Sequence, residues 1–243
     1  MNKLLQVALA TFLFLQVSNA LGQYAVGDLN LDGDIAAWYD QSVGYKNVPV
    51  LEGSFYPLPY IASKQSPYLE SNKWSEGQLT FAGEQYNGLY LLYNTYHDLL
   101  IIRNRAVQIS AIEPTLLNQH KVDEFVIHGH QFIHLKDSVA PGHAPGFYEL
   151  FFDGQSIDFY IKRIKNEYIK GREIVFQDED RYFLFDGQQF IKYKGKKSMY
   201  KCFPEIKAQM KSYSKSLYMN LKKNQEEGML TWLAYGDQLL TEK

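Results

Sequence analysis

Calcium binding is the first chemistry that residue spacing suggests. The stretch "GDLNLDGDIAAWYD", Gly27 to Asp40, sets oxygen-bearing side chains at every second position, Asp28, Asn30, Asp32 and Asp34. Counted as an EF-type loop from Asp28, positions one, three and five are filled, and Gly33 falls at the sixth, where the chain must turn sharply. Position twelve needs a bidentate carboxylate to close the shell, but it is Tyr39, and Asp40 comes one residue late. The shorter calcium loops of propeller repeats want an acid at the ninth residue, here Ala36. The match is partial and occurs once. Calcium is therefore a candidate cofactor at Asp28, Asn30, Asp32 and Asp34, while a polar turn leading into a short helical segment at "IAAWYD" is the preferred reading.

Zinc is the second possibility, raised by His128, His130 and His134 in "EFVIHGHQFIHLK". On one continuous strand His128 and His134 would stand roughly 20 Å apart, whereas zinc holds its ligand atoms about 2 Å away. A turn at Gly129 would pair His134 back near Phe125 and separate the three further, so surface hairpin histidines are the better reading. Asp178, Glu179 and Asp180 read as solvated acids in a turn. No nucleophile elbow, HExxH or phosphate-cradling glycine loop occurs, and no catalytic residue is assigned.

These residues must be carried by strands. From about Trp74 the sequence alternates aromatic and aliphatic runs with turn dipeptides, the pattern of an antiparallel meander. Turns are predicted at Ala82-Gly83, at "NTYHD", at Asp153-Gly154 and at Asp186-Gly187, the Asp-Gly pairs as type I′ hairpins. Leu89, Leu91 and Tyr93 are predicted to share one face. The period changes near Lys196: Ile206, Met210, Tyr213 and Leu217 recur at helical spacing, with Pro204 in the first turn. A second helix is predicted from a cap at Asn224 and Glu227 through Tyr235, ended by Gly236. The expected fold class is mainly β, an antiparallel meander, sandwich or barrel-like, with a C-terminal two-helix appendage. The expected organisation is a signal peptide at 1–20, an irregular segment at 21–74, the β-domain at 75–195 and a basic helical appendage at 196–243 packed on it.

The signal peptide rests on Lys3, the apolar stretch from Leu4 to Val17, and small residues Ser18 and Ala20 at cleavage spacing. Gln6 and Gln16 make the stretch a poor membrane span. The single cysteine, Cys202, cannot close an intrachain disulfide and reads as a small half-buried apolar residue. A net charge of −2 conceals an asymmetry: residues 1–160 carry 8 Lys and Arg against 16 Asp and Glu, while residues 161–243 carry 17 against 11. Between Lys192 and Lys223 ten lysines face only Glu205. Lys207, Lys211 and Lys215 repeat at i+4 and are the candidate partner contacts, for an envelope protein or an anionic surface component; nucleic acid is not expected.

The runs "SPYLESNKWSEGQLTFAGEQYNGLYLLYNTYHDLLII", "GFYELFFDGQ" and "RYFLFDGQQFIKYKGKKSMYKCFPEIKAQMKSY" resemble a recurring type of secreted, β-rich envelope protein from Bacteroidota, over about residues 50 to 225. That type has no assigned activity, so the resemblance implies shape and destination, periplasm or outer membrane, without chemistry. The expected function is a non-enzymatic envelope module that binds a partner. The alternative is a carbohydrate-active enzyme or carbohydrate-binding domain with an aromatic cleft on the sheet, and a third is a ligand cavity within a closed barrel.

Overall fold

Large rings and aliphatic side chains recurring at every second position favour strands, because alternate residues of a pleated chain reach the same face. The computed structural model describes residues 53–58, 66–103, 114–136, 143–216 and 225–242, all within the compact unit Tyr45–Lys243. The expected signal peptide and the stretch from Asp28 to Asp34 lie outside the described residues. Eleven strands make one antiparallel sheet: β1 (Ser54–Phe55), β2 (Ser75–Phe81), β3 (Glu84–Asn94), β4 (Leu99–Arg103), β5 (Thr115–Leu116), β6 (Val122–Ile127), β7 (His130–Leu135), β8 (Gly146–Asp153), β9 (Asp158–Lys162), β12 (Arg181–Phe185) and β13 (Phe190–Tyr193). The remaining two, β10 (Lys165–Lys170) and β11 (Glu173–Asp178), pair only with each other.

The spatial order is β1-β5-β4-β3-β2-β6-β7-β8-β9-β12-β13. The meander is therefore broken three times: β1 lies beside β5, β6 returns beside β2, and the β10–β11 ribbon leaves the sheet between β9 and β12. The sheet has two edges, β1 and β13, and does not close, so the barrel-like option and its internal cavity fall away.

Leu89, Leu91 and Tyr93 do share a face. They enter one core with Phe125, Phe132 and Phe147, where the Tyr93 ring meets those three at centroid distances of 5.2, 4.9 and 6.0 Å, all edge-on. A second core lies between the other end of the sheet and the helices α1 (Lys196–Cys202), α2 (Lys207–Ser216) and α3 (Gln225–Thr241), with a 3₁₀ turn at Pro204–Ile206. Met199, Ile206, Met210, Trp232 and Leu233 are fully buried there, each worth about 1.5–3 kcal/mol of transfer free energy. Cys202 packs at its border, half-buried, with burial pushing its thiol pKa up. Leu217 and Asn224 lie outside the described residues. Among the described residues no helix is long and apolar enough to cross a membrane.

Two turn expectations need correction. Gly236 does not end a helix: α3 continues through it to Thr241, and an added Cβ would come within 2.8 Å of Met199 Cε and 3.0 Å of Met210 Cε. The glycine is there for close packing. The Asp153-Gly154 and Asp186-Gly187 hairpins exist, but each strand pair is joined by four residues, and neither aspartate has a positive φ. The two-residue turns with positive φ at both positions are Ala82-Gly83 (53° and 82°) and His128-Gly129 (54° and 81°).

Candidate functional site

Glu149 lies on β8 between the two cores. Phe147, two residues before it, belongs to the first, and Phe151, two residues after, packs on the second. The Glu149 carboxylate is almost wholly buried and must be paired to remain ionised. His130 Nδ1, from the neighbouring β7, meets Oε1 at 2.6 Å; Arg163 Nε, just past the end of β9, donates to Oε2 at 2.5 Å. Burial pushes the Glu149 carboxyl up, but the bonds from His130 and Arg163 outweigh it and hold its pKa below the usual range. The Arg163 Nη1 donates in turn to Asp180 Oδ2 at 2.8 Å, and the Ile164 amide donates to Asp180 Oδ1 at 3.1 Å. For Asp180 burial wins, and its carboxyl titrates above the ordinary aspartate range.

The second nitrogen of His130, Nε2, meets Glu70 Oε1 at 3.0 Å. A carboxylate at each nitrogen favours the doubly protonated imidazole, and its pKa is raised, chiefly by the Glu149 hydrogen bond. Glu70 reaches this position from a left-handed backbone (φ 53°), and its other oxygen lies 3.8 Å from His128 Nδ1. Beside the cluster opens a cleft of about 290 Å³ lined by Glu70, His130, Arg163, Lys165, Asp178 and Asp180. Lys165 donates to the carbonyls of Ser66 (3.0 Å) and Tyr68 (2.7 Å), which ties the Glu70 segment down.

A second buried pair stands nearby. Lys162 Nζ meets Asp98 Oδ2 at 2.5 Å and the Phe147 carbonyl at 3.0 Å, and Tyr93 donates its hydroxyl to Asp98 Oδ1 at 2.6 Å. Burial holds the Lys162 pKa below that of a free lysine, and burial with Asp98 drives the Tyr93 hydroxyl far up. In both clusters the most buried carboxylate is paired with cations of the fold, which suits fixing one packing of the sheet.

The three histidines do lie on a hairpin, as expected, but none is the exposed surface histidine expected there: all three are half-buried. His128 is in the turn, His130 is in the buried cluster, and His134 meets the Val122 carbonyl at 3.1 Å, with burial lowering its pKa. Among the described residues no three His, Cys, Asp or Glu side chains gather as a metal site; Asp28, Asn30, Asp32 and Asp34 are not among them. Of the acids read as a solvated turn, Asp180 is half-buried against Arg163, Asp178 is exposed but is the last residue of β11, and Glu179 is exposed after it.

Lys207, Lys211 and Lys215 are all exposed on α2, while Met210 of the same helix is fully buried. Lys197 and Lys201 of α1 are exposed as well. Lys211 carries its ammonium 5.8 Å from the Tyr200 ring centroid. The helical apolar stripe faces the sheet, so the basic face points to solvent. The cluster around Glu149 was missed in the sequence, although its signal is present: a carboxylate at an inward position of "GFYELFF". Compared with known proteins, the chain matches no family model, no curated protein and no solved structure.

Proposed function

We propose that this is an exported cell-envelope protein that acts by binding, without a reaction of its own, and that the basic outer face of α1 and α2 engages an anionic surface component. The observation that carries the reading is the division of α2 into a buried Met210 side and an exposed Lys207, Lys211, Lys215 side. The pairing of the buried Glu149 carboxylate with His130 and Arg163 supports it from the other direction, since both of its oxygens are already engaged within the fold. The signal sequence in the first twenty residues supports export.

Exposed lysines act over the screening length of about 8 Å at physiological salt. Replacing Lys207, Lys211 and Lys215 by Gln is expected to weaken co-sedimentation with envelope membranes, most at low salt. The melting temperature should hardly move, because exposed substitutions usually stay within about 0.5 kcal/mol. Equal sedimentation of parent and variant at every salt concentration would reduce the lysines to a solvated face.

A further inference from the structure

We infer that the tip of the β10–β11 ribbon is a membrane-contact element that sets two isoleucines into the headgroup boundary of a lipid bilayer. Ile169 and Ile174 are directly paired across the ribbon and are 77% and 51% exposed. Behind them on the same face, Phe176 packs edge-on against Tyr96, itself 38% exposed, at a centroid distance of 5.4 Å. The turn that joins the isoleucines carries Lys170 and Arg172, both exposed, around Gly171 (φ 67°). Glu173 is the one acid of this six-residue tip.

Isolated exposed apolar side chains are ordinary, but a cross-strand pair at the end of a projecting ribbon is not scattered surface. A free two-stranded ribbon is marginal in water, and this one is fixed at its base. The Lys165 amide donates to the Thr95 carbonyl at 3.4 Å, the Glu179 amide donates to the Ile164 carbonyl at 2.8 Å, and the Lys165 ammonium is held by Ser66 and Tyr68. The ribbon pairs with no strand of the main sheet, and its base is thereby anchored to the Thr95 and Ser66–Tyr68 segments.

The surface is too narrow for a stable second copy or folded partner, which takes roughly 800 Å² from each side. A bilayer boundary demands no matching shape. There apolar side chains enter about 5–10 Å, and Lys170 and Arg172 would meet lipid phosphates. The open edges of the ribbon limit the depth, since unpaired amides are not tolerated in hydrocarbon, so only the tip side chains enter. This inference rests on different residues from the helical lysines.

The full chain without residues 1–20 should float with vesicles of phosphatidylglycerol and phosphatidylcholine. Ile169→Thr with Ile174→Thr, which keeps strand-forming side chains, should lower the vesicle partition about tenfold, at high salt as at low, with an unchanged melting temperature. Lys170→Gln with Arg172→Gln should weaken binding only where phosphatidylglycerol is present. With Ile169→Trp, adding vesicles should shift the new tryptophan's emission to the blue. A Thr pair that floats as the parent does, or a parent that binds neither lipid mixture, overturns the inference. A dimer abolished by the Thr pair would assign the tip to a second copy instead. Loss of binding in the Lys207, Lys211, Lys215 variant but not in the Thr pair would leave the helical reading standing and this one refuted.

Discussion

At the scale of single residues, Glu149 decides how the two cores meet. Its carboxylate occupies an inward position between Phe147 and Phe151 and stays ionised only because His130 and Arg163 reach it. Glu149→Ala is expected to cost about 3 kcal/mol, the range for removing one partner of a buried pair, read as a lower urea midpoint with unchanged slope. The pH dependence follows from the shifts. His130, raised by Glu149, contributes stability that is full below about pH 6.5 and is lost as pH rises through its folded value. Asp180, raised by burial, acts in the same direction, favouring the fold at lower pH. Glu149, held low, contributes above about pH 4.3 and loses that contribution as pH falls through its folded value. Stability is expected to be greatest between these limits, and His130→Gln should flatten the decline on the alkaline side. An unchanged profile in His130→Gln would show that the imidazole is not held as a cation. Of this cluster, the sequence displayed the odd carboxylate in an apolar run but not its partners. His130, Arg163 and Asp180 are brought to it by strand register, which pairs Phe132 and Ile161 with Glu149 from either side.

At the scale of elements, a single aspartate ties the C-terminal helix to the turn between β8 and β9. Asp237 of α3 accepts three amide hydrogens from the β8–β9 turn: Gln155 at 3.0 Å to Oδ2, and Ser156 at 2.7 Å and Ile157 at 3.0 Å to Oδ1. Gly154 is needed beside it, since a Cβ would come within 2.6 Å of Asp237 Oδ1. Asp237→Ala should cost about 2 kcal/mol, as expected for hydrogen bonds to a charged acceptor, and should raise amide exchange in α3 before the sheet. Met210→Asp should cost more, because it places an unpaired charge in a site with no exposure. The local elements were legible: the helical stripe through Ile206 and Met210, the turn at Ala82-Gly83 and the shared face of Leu89, Leu91 and Tyr93 are near-neighbour patterns. The Asp237 anchor spans some eighty residues of sequence, and Gly236 resembled a helix stop because its packing against two methionines is invisible along the chain.

At the scale of the whole molecule, the two cores meet on one strand, β8, instead of dividing the chain between them. Phe147 and Phe151 lie on one strand, and β9 supplies Phe159 and Ile161 to the helical core while pairing with β8 from Glu149 to Asp153, with a bulge at Phe151. The meander itself was readable from turn spacing. The return of β6 to β2 and the departure of the β10–β11 ribbon were not, because strand neighbours far apart in sequence are chosen by which faces must be buried together. Because β8 serves both cores, β9 pairs with it and Asp237 ties α3 to their turn, the helices should not melt away from the sheet on their own. Trp232, fully buried in the helical core, reports that core alone once Trp38 and Trp74 are replaced by Phe. Its fluorescence in urea should follow the same transition as the far-ultraviolet circular dichroism of the sheet, the coincidence that marks one cooperative unit. In the Asp237→Ala background the two curves should still coincide, at a lower midpoint. A Trp232 transition that clearly precedes the sheet signal in the parent would make the helices a separately folding appendage and remove the reason for placing Glu149 at a shared seam.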